Sequence, residues 1–118
     1  MEIQKVVEIS ELLDIYGKLL TKKQLEVIEQ YYNEDLSLTE ISENLEISRQ
    51  AVYDTIKRSE KLLYEYEKNI GFKKLKDKRL KEINDILISL NKLRKSVDNE
   101  DFLNKVDSII DYCEGLSE

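Results

Sequence analysis

Histidine, proline and tryptophan are absent from this chain, glycine occurs only at positions 17, 71 and 115, and there is one cysteine. Each absence excludes something. Without proline and with so little glycine the chain lacks most of the turn chemistry that β-hairpins and α/β loops require, so an all-α fold is expected. Without histidine there is no side chain that titrates near neutrality, and with a single cysteine there is no Cys/His nucleophile pair, no zinc site and no disulfide. Asp and Glu remain as acid–base groups, but no paired-carboxylate or metal-ligand spacing appears, so the reading is a non-enzyme with no cofactor and no metal. No apolar run approaches the length of a membrane span, and the first ten residues, MEIQKVVEIS, lack the basic region that opens a secretion signal. A cytoplasmic protein is expected.

What is present is charge and periodicity. Charged residues make up 37% of the 118 residues and hydrophobic ones 41%, too apolar for a disordered polyelectrolyte. The net charge of −6 conceals a strong asymmetry. Residues 1–47 carry 4 Lys/Arg against 11 Asp/Glu, residues 48–70 carry 5 against 4, residues 71–97 carry 9 against 3, and residues 98–118 carry 1 against 7. Basic charge is confined to the middle, and local potential rather than net charge steers a polyanion within a Debye length.

The apolar spacing predicts six helices. The first covers 3–16, with Ile3, Val6, Val7, Leu12, Leu13 and Tyr16 on its stripe and Gly17 as a left-handed cap. Thr21 with Gln24 forms a capping box for a helix over about 22–32, and Ser37 with Glu40 forms another for a short helix carrying Ile41 and Leu45. Leu20/Leu25 and Leu36/Ile41 supply the hydrophobic staples. Ser48, stapled by Ile47 and Val52, opens a fourth helix with Val52, Ile56, Leu63, Tyr66 and Ile70 on its stripe, ended by Gly71. A fifth begins near Phe72 with Leu80, Ile83, Leu87 and Leu90 spaced 3-4-3. A sixth is capped by Asp98, stapled by Val97 and Phe102, and carries Leu103, Val106, Ile110 and Cys113. Gly71 divides residues 1–70 from a helical pair over 71–118.

The informative stretch is Leu38 to Lys57, LTEISENLEISRQAVYDTIK, where a two-turn helix, a tight connection and a capped second helix fit into 20 residues. That is helix-turn-helix spacing. Together with the preceding segment Thr21-Lys22-Lys23-Gln24 through Tyr31, it resembles region 4 of sigma-70-type factors, SRQAVYDTIKR matching their recognition helix. Over nearly its full length the chain is similar to the YlxM family, small helix-turn-helix proteins of Gram-positive bacteria whose genes neighbour those of the signal recognition particle. The resemblance implies a DNA-binding regulatory protein that takes part in the signal recognition particle pathway. The alternative is a non-catalytic modulator that binds the particle's GTPase or RNA and uses the helix-turn-helix as a scaffold.

With Val52 at the centre of the buried stripe, a turn of 100° per residue places Gln50, Tyr53, Asp54, Lys57, Arg58 and Lys61 on the outer face. Arg49 lies at the flank in the first turn. Arg pairs with guanine O6/N7 and Gln with adenine N6/N7, so Arg49 and Gln50 are the candidates for base contact, while Lys57, Arg58 and Lys61 are placed for phosphates. Tyr53 is either a rim residue or a stacking one. Two features run against DNA. Position 46 is Glu where such turns commonly use Gly, and Glu34, Asp35, Glu40, Glu43 and Glu46 put five carboxylates in 34–46 with no Lys or Arg. The run Lys73, Lys74, Lys76, Lys78, Arg79 and Lys81 reads first as a solvated face paired with the acidic last helix. A phosphate patch on Lys73, Lys74 and Lys76 is the competing reading. The last two stripes fit either packing on helix four or a homodimer.

Overall fold

A computed structural model describes residues 2–118. Their order is α1 (Ile3–Tyr16), a 3₁₀ turn (Gly17–Leu19), α2 (Lys22–Tyr32), α3 (Leu38–Leu45), α4 (Arg49–Ile70), α5 (Phe72–Lys95) and α6 (Glu100–Leu116), with no strand among the described residues. The all-α expectation holds, and the helix starts follow from local chemistry. Thr21 Oγ1 accepts from the Gln24 N–H at 3.2 Å while Gln24 Oε1 accepts from the Thr21 N–H at 3.0 Å. Ser37 and Glu40 make the same reciprocal pair at 3.1 Å each, and Ser48 Oγ accepts from the Ala51 N–H at 3.0 Å. Each cap satisfies amides that have no partner inside the helix.

Four expectations need correction. Gly17 is not left-handed: its φ is −53° and it opens the 3₁₀ turn. Its value is size, since a Cβ there would stand 3.3 Å from Leu25 Cδ1, where α1 and α2 come together. On α1 the inner stripe is Ile9, Leu12, Leu13 and Tyr16, whereas Ile3 and Val7 are exposed, because Ile9 and not Val7 shares a face with Leu12 and Leu13. Likewise Ile70, at the end of α4, is exposed. The cap of α6 is Asn99, which has an extended backbone and accepts from the Phe102 N–H at 3.0 Å; Asp98 lies one residue outside, and the expected Val97/Phe102 staple loses its register. Gly71 does end α4 in the left-handed region, at φ 70°.

The chain forms two compact units, one running to Lys73 and one covering Lys74–Glu118. The first packs α1, α2 and α3 around α4, with Ile9, Leu12, Val27, Ile28, Ile41, Val52, Ile56 and Leu63 at its centre. Phe72 and Lys73 go with this unit because their amides are bound inside it. The Phe72 N–H donates to the Tyr16 hydroxyl at 3.1 Å, the Lys73 N–H donates to Glu67 Oε1 at 2.9 Å, and Tyr16 donates to the same oxygen at 2.7 Å. The second unit is a helical hairpin: the four residues 96–99 connect α5 to α6, and Arg94 Nε meets Asp107 Oδ1 at 2.7 Å across the pair.

Candidate nucleic-acid interface

The α3–α4 connection is three residues, Glu46 to Ser48. Glu46 is left-handed (φ 56°, ψ 43°), its N–H and that of Ile47 both donating to the Ser42 carbonyl. This is a Schellman-type end, with Ile47 as its hydrophobic closing residue. The turn therefore keeps the geometry for which glycine is suited, at a cost of about 1–2 kcal/mol for a side chain in that region. Ile41 and Val52, both fully buried, fix α3 across the first turns of α4. As a result the outer side of α4 stands clear.

On that side Arg49, Gln50, Tyr53, Lys57, Arg58 and Lys61 are all exposed, as their spacing predicts, and Asp54 is half-buried. Arg49, Gln50 and Tyr53 line an open depression with Leu38 of α3. Within the set, charge is unevenly committed. Gln50 Nε2 donates to Asp54 Oδ1 at 2.9 Å, so its amide is held along the helix. Lys57 Nζ lies 5.5 Å from the centre of the Tyr53 ring and 3.7 Å from Glu60 Oε2. Its charge is partly spent inside the protein. Arg49, Arg58 and Lys61 form no ion pair among the described residues.

Glu60 is the residue that sequence reasoning missed. It is 7% exposed, accepts from the Tyr32 hydroxyl through Oε1, and takes Lys5 at 3.4 Å as well as Lys57 through Oε2. A cavity of about 140 Å³ lies beside it, lined by Tyr31, Leu38, Tyr53 and Ile56 among others. Burial, and after it the bond to Glu60, pushes the Tyr32 phenol well above its ordinary range. The available signal was spacing, since Glu60 stands four residues after the buried Ile56 and thus on the inner flank of α4.

The lysines of the second candidate patch differ in setting. Lys73 is half-buried and ion-paired with Glu11 of α1 at 3.1 Å. Lys74 and Lys76 lie beyond it on the exposed part of α5. The five carboxylates Glu34, Asp35, Glu40, Glu43 and Glu46 are exposed as expected.

A family model described as "Putative helix-turn-helix protein, YlxM / p13 like" matches residues 3–106. The chain belongs to the UPF0122 family. A UPF0122 protein of Clostridium novyi (strain NT) is 45% identical over 103 residues, covering 87% of this chain and 90% of that one. One from Clostridium perfringens (strain 13 / Type A) is 51% identical over 85 residues, 72% and 76% of the two chains. One from Fusobacterium nucleatum is 44% identical over 101 residues, 84% of this chain and 98% of the relative. The matched span of the UPF0122 model takes in all of α1 to α5 and the start of α6.

Proposed function

We propose that this UPF0122 protein is a DNA-binding regulator that inserts the first turns of α4 into the major groove. The observation that supports this reading is the standing of Arg49: in the first helical turn, exposed, unpaired, and carried by a capped helix that α3 braces from behind. A guanidinium so placed is suited to guanine O6/N7, and Arg58 and Lys61, about two and a half and three turns further on, are suited to phosphates. Gln50 contributes to base contact only after releasing Asp54, and Lys57 to phosphates only at the expense of Glu60. Selection of duplexes from a random pool tests the proposal. An enriched motif is expected, with Arg49→Ala costing about 1–3 kcal/mol on it and relaxing one position of the consensus. Recovery of unenriched sequence, or a motif that Arg49→Ala leaves intact, would overturn it.

A second reading is favoured by one observation, the carboxylates exposed on and beside α3 where a docked first helix would approach the backbone. In it the protein modulates the signal recognition particle from the cytoplasm, through the GTPase or the RNA, and does no chemistry. Pull-down with particle RNA and GTPase in parallel with the duplex selection separates the two: capture there, without a duplex motif, supports the second.

A further inference from the structure

The cavity beside Glu60 is built from three helices, with Lys5 from α1, Tyr31 and Tyr32 from α2, and Tyr53, Lys57 and Glu60 from α4. Its hydrogen-bonding capacity is committed on one side only. Glu60 is the one carboxylate among the described residues that line it, and both of its oxygens are engaged, Oε1 by the Tyr32 hydroxyl and Oε2 by Lys5 and Lys57. The donors are not used up. Each ammonium carries several N–H bonds and meets only that one oxygen, at 3.4 Å and 3.7 Å, well beyond the roughly 2.7–2.9 Å of a close charge-assisted bond. The hydroxyls of Tyr31 and Tyr53 form no hydrogen bond among the described residues. Two lysines against one glutamate leave the lining positive, so an entering cation finds no uncommitted carboxylate, whereas an anion finds both ammoniums and both phenols able to donate.

The place of the cavity says which anion. Leu38 and Tyr53 belong both to it and to the depression at Arg49 and Gln50, so the two adjoin on the outer side of α4. The side chains of Lys5 and Lys57 keep 37% and 50% of their exposure, which leaves the lining open to solvent there. From Arg49 to Lys57 the helix rises about 12 Å, and the major groove is about 12 Å wide. With α4 entering by its N-terminus and Arg49 over the base edges, Lys57 therefore stands at the groove wall, among backbone phosphates.

We propose that this cavity is a phosphate site in which Lys5 and Lys57 hold two oxygens of the anion and Tyr31 donates its hydroxyl. The distances of the two ammoniums to Glu60 Oε2 put them no more than about 7 Å apart, a gap that one tetrahedral anion spans with two close bonds. Lys57, the looser of the pair, turns from Glu60 to the anion, while Tyr32 and Lys5 keep the carboxylate satisfied. Lys5 on the first helix thereby joins the face formed by α4. The same donors accept a phosphate from either of two sources. One is the backbone of a bound duplex, in which case the site rests on the regulator reading and extends it; the other is a free phosphate compound.

An NMR titration of the isotope-labelled full chain with inorganic phosphate, at ionic strength held constant with chloride, tests the site without any nucleic acid. Saturating amide shifts are expected around Lys5, Tyr31 and Lys57. Lys5→Ala should weaken binding about tenfold, the loss of one charge-assisted bond, and Lys105→Ala on α6 should leave it unchanged. Tyr31→Phe, which keeps the ring, should weaken it severalfold and gives the answer if Lys5→Ala loses helicity. The salt dependence of duplex affinity then identifies the source. Lys5→Ala makes that slope shallower by about 0.9 if a backbone phosphate sits here and leaves it unchanged if the phosphate is a free one. A chain that binds phosphate at this site and no duplex refutes the regulator reading and supports the free source. Absence of saturable shifts at the cavity, equal losses from Lys5→Ala and Lys105→Ala, or saturation by tetramethylammonium in place of phosphate would each overturn the proposal.

Discussion

Glu60 and Tyr32 hold each other in place at the edge of the first unit's core, the phenol bonded to Oε1 of a carboxylate whose Oε2 takes Lys5 and Lys57. Because burial and Glu60 favour the neutral phenol, the folded state keeps its proton at pH values where the unfolded chain, with tyrosine near 10.0, has lost it. The stabilisation is complete below about pH 10 and is lost as pH rises beyond that; Tyr16, raised by burial and then by Glu67, adds to the same trend. Tyr32→Phe should cost about 1–3 kcal/mol at pH 8 by leaving the carboxylate short of a partner. It should also make the decline of the urea midpoint between pH 8 and 11 shallower, and parallel declines in wild type and variant would rule out this account of the bond. Ser59 presents the opposite case. It is fully buried and its hydroxyl has no partner among the described residues, so the position uses the small size and not the polarity. Ser59→Ala should therefore be neutral or stabilising by up to about 1 kcal/mol in thermal or urea unfolding; a loss of 1 kcal/mol or more would reveal a hydrogen bond made in solution.

Among the elements, the two turns that flank α3 are built against local preference, with Asp35 and Glu46 both left-handed. Glu46 adopts a left-handed backbone with an exposed side chain, so Glu46→Gly should raise stability by about 1 kcal/mol, the relief of strain being partly offset by the freer unfolded chain. Unchanged or lower stability would mean the turn is relaxed. The helix-turn-helix unit was legible in the sequence because its signals are local: Ser37 with Glu40 and Ser48 with Ala51 decide the starts, and Ile41, Val52 and Ile56 occupy one face by spacing alone. Ile56, 3% exposed, should accordingly not tolerate Asp, and cooperative unfolding near the wild-type temperature in Ile56→Asp would show the wrong face inside. What could not be read was long-range. The commitment of Lys57 to Glu60, of Lys73 to Glu11, and of Tyr16 to the start of α5 joins residues far apart in sequence through side chains whose types do not announce a partner. The shift from Asp98 to Asn99 is different in kind, since either residue can cap and only the observed backbone distinguishes them.

At the scale of the whole molecule the central question is whether a chain with a net charge of −6 presents enough local positive potential to hold a duplex. The exposed face of α4 offers Arg49, Arg58 and Lys61 unpaired, and the carboxylates of α3 oppose them. Glu40→Lys with Glu43→Lys should thus strengthen duplex binding if α3 lies beside the phosphates, and no gain would place α3 away from DNA. The most direct measurement is the salt dependence of duplex affinity, followed by fluorescence anisotropy, for wild type and Arg58→Ala. Since each phosphate contact contributes about 0.9 to the slope of log affinity against log salt, the DNA reading expects a clear negative slope that Arg58→Ala makes shallower by nearly one. Binding without a salt slope, or a slope that Arg58→Ala leaves unchanged, would contradict docking through α4.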